Sequence, residues 1–266
     1  MYELEQHLEK ARDAGSNESL MRSEAERLVT AGNERHLSLR LLGAIAFQFR
    51  CPKYNYLAAR LQRTLSDVDF AAYSSQRGPI GDMMREFGYG DQPMVSGLFG
   101  GGRMIWDNKS NGLHVDIFFD KLDMNHEISF RGRLETEQTT IPLADLLLEK
   151  MQIVHINGKD IIDTIMLLRE HQIEDSGAEG IDARYIAKLL SKDWGFYYTV
   201  TTNLKNVQDR LGSYSELTGE DRADVSQKIQ KLTAILQNES KTIGWKARSR
   251  IGTKTQWYHD VDDVVR

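Results

Sequence analysis

Residues 66–70, Ser66-Asp67-Val68-Asp69-Phe70, alternate polar and apolar side chains and read as a short strand between Arg60-Leu61-Gln62-Arg63 and Ala71-Ala72-Tyr73. Successive side chains of an extended chain point to opposite faces, so Asp67 and Asp69 share one face and Val68 and Phe70 the other. Two carboxylates on one strand face repel each other, and one or two divalent cations between them remove that cost. The natural third ligand is Asp116, in Leu113-His114-Val115-Asp116-Ile117-Phe118-Phe119-Asp120. Here Val115, Ile117 and Phe119 form an apolar face and His114, Asp116 and Asp120 the polar one. His114 reads as a neighbour of Asp116 with its tautomer fixed, and Asp120 as either a ligand or a strand-end turn residue.

The chain has 266 residues, enough for one large domain or two modest ones with a sizeable core. Its one cysteine, Cys51, excludes an internal disulfide. The absence of an N-terminal apolar run argues for a cytoplasmic protein, and the absence of a long apolar stretch against a membrane partner. A net charge of −5 gives no global signature of nucleic-acid binding. A local one lies in Lys241, Lys246, Arg248, Arg250 and Lys254, with Trp245 among them and Trp257 and Tyr258 following.

Around the aspartates the chain divides into three parts. Residues 1–35 are charged and helix-prone, with Gly15-Ser16-Asn17 expected to separate two helices. Residues 36–175 carry the strands. Leu37, Leu39 and Leu41 alternate toward a strand end at Gly43, and a helix follows from Ala44 to Arg50, stopped by Cys51-Pro52. A helix over 80–87 ends at Gly88-Tyr89-Gly90, and the glycine-rich run Gly97 to Gly102 reads as a turn, since it lacks the lysine and flanking elements of a phosphate loop. Arg103 to Trp106 is expected to pair with the Asp116 strand through the turn residues Asp107 to Gly112, and another strand is expected over 127–130. Pro142 opens a helix in which Leu143, Leu146, Leu147 and Lys150 lie at helical spacing, so Lys150 sits at the edge of the apolar face, where its stem packs while its ammonium reaches the cleft. A further helix spans Lys159 to Arg169, and Gln172 to Gly180 is the expected linker. Residues 180–266 read as a helical domain, with helices over 182–190, 196–211 and 221–237, the last behind a Thr218-to-Asp221 capping box.

The ordered set of Gly43, Asp67-Val68-Asp69 and His114-Val115-Asp116 resembles the polymerase-beta-like nucleotidyltransferase superfamily over about Leu39 to Leu168. The helical stretch from Ile141 to Lys150 followed by Lys159-Asp160-Ile161-Ile162-Asp163 is similar to the abortive-infection toxin type, among the minimal members. The resemblance implies an α+β fold, with a small mixed sheet of the nucleotidyltransferase type flanked by helices and an all-helical C-terminal region. It implies Asp67, Asp69 and Asp116 as catalytic Mg²⁺ ligands for one or two ions, and a nucleoside triphosphate, ATP among them, as substrate. Gly43 and Ala44, at a helix N-terminus with a positive dipole end, are the expected phosphate corner, with Lys150 as a further triphosphate contact. Ala44 departs from the usual glycine or serine and offers no hydroxyl; Arg63 or Arg60 can replace that contact with a bidentate guanidinium. The implied acceptor is a hydroxyl on a small molecule such as an aminoglycoside or lincosamide, on RNA or on a protein. The small molecule is favoured because Asp260, Asp262 and Asp263 follow the basic stretch and repel a long polyanion. Two competing readings are a non-catalytic nucleotide- or partner-binding module and a metal-dependent phosphodiesterase.

Overall fold

The computed structural model describes residues 2–61, 63–92, 102–175 and 179–261. The run from Gly97 to Gly101, residues 176–178 of the expected linker, and Asp262 and Asp263 lie outside them. The chain is a mixed α+β protein of two compact units, one of Met1–Ala46, Thr64–Lys121 and Phe130–Ile141, the other of Phe47–Arg63, Leu122–Ser129 and Pro142–Arg266. No helix among the described residues is long and apolar enough to cross a membrane.

The first unit is organised by a five-stranded mixed sheet of order β1-β2-β5-β4-β3. Its strands are β1 (Arg40–Leu42), β2 (Val68–Ala72), β3 (Gly90–Asp91), β4 (Arg103–Asn108) and β5 (Leu113–Phe119). β2 runs parallel to β5 with Asp69 opposite Asp116, while β1 pairs with β2, and β4 with β5, antiparallel. Alternation puts Val68, Phe70, Val115, Ile117 and Trp106 on one face, all fully buried. Ile80, Met83 and Met84 of α4 (Arg77–Glu86) are buried with them, and Gly81 of that helix lies near the Trp106 ring.

Two expectations for this unit need correction. Residues 2–34 form one continuous helix, α1 (Tyr2–Glu34), with no break at Gly15-Ser16-Asn17. A mid-helix glycine costs only about 1 kcal/mol, and the same helix buries Met21, Ala25, Leu28 and Val29. The first strand begins at Arg40 and not at Leu37, because residues 35–39 close the helix end: His36 takes a positive φ of 57° and the Leu37 amide donates to the Gly32 carbonyl at 2.8 Å.

In the second unit, α5 (Leu143–Met151) is buried at every residue, and α6 (Gly158–Glu170) starts from a reciprocal Asn157/Asp160 cap. The 172–180 segment is not a free linker. β8 (Ile173–Glu174) and β9 (Ile181–Asp182) pair in parallel, and the Ile181 amide donates to the Gln172 carbonyl at 2.9 Å. A Cβ at Gly180 would lie 2.8 Å from that same carbonyl oxygen, so the chain closes on itself too tightly for any other residue. α7 (Ala183–Leu190), α8 (Trp194–Arg210), α9 (Gly219–Asn238) and α10 (Ile243–Ile251) follow, with Thr218 and Asp221 forming the cap of α9. The C-terminal segment returns to the hairpin of β6 (Lys121–Asp123) and β7 (Glu127–Ser129), where Asn125 Nδ2 donates to the His259 carbonyl at 2.8 Å and receives the His259 amide on its own carbonyl at 3.0 Å.

His126 of that hairpin is buried, stacked on Phe196 at 4.7 Å between ring centroids. The Thr199 hydroxyl oxygen accepts from Trp257 Nε1 at 3.1 Å and shares a hydrogen bond of 2.8 Å with His126 Nε2, with the Gly195 carbonyl 3.1 Å away. Burial pushes the imidazole down from 6.5 to about 4. Between those values the unfolded chain takes up a proton that the folded chain refuses, so this contribution to stability is whole above about pH 6.5 and is lost as pH falls toward 4. Urea midpoints should therefore decline from pH 7.5 to pH 5 in the wild type, and the decline should be shallower in His126→Phe.

Candidate metal centre

The face of the sheet opposite its apolar layer carries the acidic residues. Asp69 and Asp116 are direct neighbours across the parallel β2/β5 pair, and Asp67 stands one residue before β2 begins. One carboxylate oxygen from each of Asp67, Asp69 and Asp116 lies within 4.8 Å of the others, with Asp116 buried and the first two half-buried. Two metal–oxygen bonds of about 2.1–2.5 Å set back to back span about 4–5 Å, so one cation can touch all three. An all-carboxylate donor set suits a hard ion such as Mg²⁺. The Ser66 hydroxyl donates to Asp67 Oδ1 at 2.8 Å, which orients that carboxylate at the strand entrance.

Gly43 opens α2 (Gly43–Arg50) directly after β1, with φ of +71°. A Cβ at this position would overlap Asp69 Oδ2 and crowd the rest of that carboxylate. The glycine of the strand-to-helix turn is thus required twice, by its left-handed backbone and by the carboxylate against it. Ala44 follows as the half-buried second residue of the helix.

Arg103, at the start of β4, forms an ion pair with Asp116. The register pairs Ile105 with Asp116 and Arg103 with Phe118, so the arginine reaches diagonally along one face, its guanidinium 4.8 Å from the Phe118 ring centroid. Sequence reading left this residue out of the site. Its signal was the alternation Arg103-Met104-Ile105, which becomes informative only once the hairpin register is known.

The other polar residues of this segment, His114 of β5 and Asp120 just beyond it, have partners of their own. His114 Nδ1 contacts Asp107, its cross-strand partner, and not Asp116. Asp120 has φ of +63° and accepts the Ser74 amide on Oδ1 at 3.0 Å, which makes it the turn residue beyond the strand.

Arg63 and Lys150 belong to the second unit, where both converge on the buried Asp163. Arg63 grips it with two parallel hydrogen bonds, Nε to Oδ1 at 3.0 Å and Nη2 to Oδ2 at 3.1 Å. Lys150 Nζ lies 3.3 Å from Asp163 Oδ2, 3.2 Å from Glu149 and 3.7 Å from Asp160. Burial lowers the affinity of this amine for its proton, but the three carboxylates outweigh that, and the group stays charged with its pKa above the ordinary lysine value. Lys150 is therefore a buried counter-ion to three carboxylates of its own unit, whereas its spacing predicts a residue at the helix edge with its ammonium in the cleft.

Compared with protein-family models and with curated proteins, the chain gives no match.

Two substitutions test this description. Gly43→Ala should cost about 2 kcal/mol or more in denaturant unfolding, whereas Gly112→Ala, with the similar φ of +72° but nothing near its Cβ, should cost about 1 kcal/mol. Lys150→Met leaves Glu149, Asp160 and Asp163 short of a buried cation and should destabilise the protein by ~3–5 kcal/mol in the same assay.

Proposed function

We propose that the protein is a Mg²⁺-dependent nucleotidyltransferase that moves a nucleoside monophosphate from a nucleoside triphosphate to a hydroxyl acceptor and releases pyrophosphate. The observation that carries this reading is the Asp69/Asp116 register, which with Asp67 gathers three carboxylate oxygens within 4.8 Å on one sheet face. Asp67, Asp69 and Asp116 would hold the metal, which when bound supplies Lewis-acid stabilisation of the triphosphate and lowers the pKa of the attacking hydroxyl. Asp116, which is 1% exposed, would also take the acceptor's proton. The turn at Gly43 and Ala44 brings a helix N-terminus beside Asp69, where its dipole favours the phosphate charge that builds up in the transition state. Within the second unit Arg63 and Lys150 are both committed to Asp163, and the Lys150 pair ties α5 to α6. A small-molecule hydroxyl remains the favoured acceptor. The nucleotidyltransferase type of the sheet and the helical C-terminal region, residues 180–266, belong to the same proposal.

A second reading, a nucleotide- or partner-binding module that carries out no transfer, is favoured by one specific contact. Arg103 already offsets part of the charge on Asp116, so the acidic face can persist as a structural element. Incubating the protein with each labelled nucleoside triphosphate, Mg²⁺ and pools of small-molecule hydroxyls, RNA and protein separates the two. Pyrophosphate release should appear with the wild type and fall to the blank level in Asp69→Asn and Asp116→Asn, both of which should remain folded by circular dichroism. A thermal shift with Mg²⁺-nucleotide but no pyrophosphate from any pool would leave the binding module as the function.

A further inference from the structure

We propose that Arg103 is a counter-ion that steadies the buried Asp116 of the acidic site without metal, and that a divalent cation displaces it on binding. The inference rests on reading Asp67, Asp69 and Asp116 as metal ligands. These three side chains carry up to three negative charges within a span of 4.8 Å, and Asp116 is 1% exposed. The Arg103 guanidinium is paired to that buried carboxylate, on a side chain that is itself 17% exposed. The two partners are therefore unequal. Asp116 is locked in β5, whereas Arg103 stands at the first residue of β4 on a flexible stem and can turn toward solvent.

The Phe118 ring, 4.8 Å from the guanidinium centre, gives Arg103 a second attachment on the same face in the metal-free protein. A cation that reaches Asp116 meets this positive charge at close range. Carboxylate lone pairs can serve both groups, but the repulsion between guanidinium and ion raises the cost of sharing, and the mobile partner yields. Arg103 thereby trades cation affinity for an ordered metal-free site, and once displaced it is a positive side chain at the rim where triphosphate oxygens arrive.

Binding of Mn²⁺ alone to the full chain, followed by the electron paramagnetic resonance of the free ion at constant ionic strength, tests this without any acceptor. Arg103→Gln should bind Mn²⁺ about tenfold more tightly than the wild type, and Arg103→Lys, which keeps the charge, should stay within about twofold. Without metal Arg103→Gln should melt below the wild type and should gain more from added Mn²⁺. Arg103→Met, which keeps packing against Phe118, should behave like Arg103→Gln and decides the matter if the glutamine variant does not fold. Unchanged or weaker Mn²⁺ binding in the neutral variants, with Asp69→Asn still losing the ion, would overturn the role of Arg103 and leave the metal site standing. Wild-type Mn²⁺ affinity in Asp69→Asn would remove the metal site itself, and the inference with it.

Discussion

Like charge forced together on one face of a sheet is the constraint on which the first unit is built. At an effective dielectric constant of about 20, two unit charges about 5 Å apart repel by ~3 kcal/mol, and here three carboxylates meet at such distances. The β2/β5 pairing imposes the meeting. Val68, Phe70, Val115 and Ile117 are fully buried on the opposite face, and a one-residue slip of register would exchange the two faces. The apolar face thus holds the acidic face in place. Gly43 shows the same pressure from another side, since the chain leaves β1 where only a residue without a Cβ fits against Asp69.

The second unit handles buried charge differently. Glu149, Asp160 and Asp163 face Lys150 and Arg63, and Asp160 is also committed to the helix cap with Asn157 at the positive end of α6. Every negative group there has a neighbouring positive charge or dipole within the same unit, so the cluster is complete as it stands. Such clusters hold elements in register and need no ligand. At the sheet face Asp67, Asp69 and Asp116 bring their carboxylates within 4.8 Å of one another, and it is this gathering that points to a site where a cation adds something.

Much of this was legible in the residues. Asp67-Val68-Asp69 and Val115-Asp116-Ile117 alternate, and alternation fixes which side chains share a face whatever the rest of the chain does. The caps at Asn157 and Thr218 are local chemistry and are equally readable. What escaped depends on partners distant in sequence. Arg103 joins the site through the exact offset of a hairpin whose strand runs on to Asn108, and His114 turns to Asp107 for the same reason. Lys150 has the spacing of a helix edge, but α5 is enclosed on all sides, and the carboxylates that make its burial tolerable come mostly from α6. The 172–180 segment has linker composition, yet the pairing of β8 and β9 supplies the backbone bonds that composition cannot reveal.

The basic C-terminal stretch shows how composition misleads when the backbone is ignored. Arg248 is spent on the end of α10, donating to the carbonyls of Gly252 at 2.6 Å, Thr255 at 3.0 Å and Gln256 at 3.2 Å, with its guanidinium over Trp194. Lys241 likewise caps the end of α9 through the Leu236 and Glu239 carbonyls, and burial lowers its pKa. Trp245 packs edge-on against Tyr197, and Trp257 against Tyr198 while its indole N–H is held by Thr199. Base stacking needs an aromatic face that is not already packed, and both indoles are engaged within their own unit. Lys246, Arg250 and Lys254 remain exposed. The stretch is first a structural closure of the helical segment, and any recognition of an acceptor by base stacking would have to break that closure.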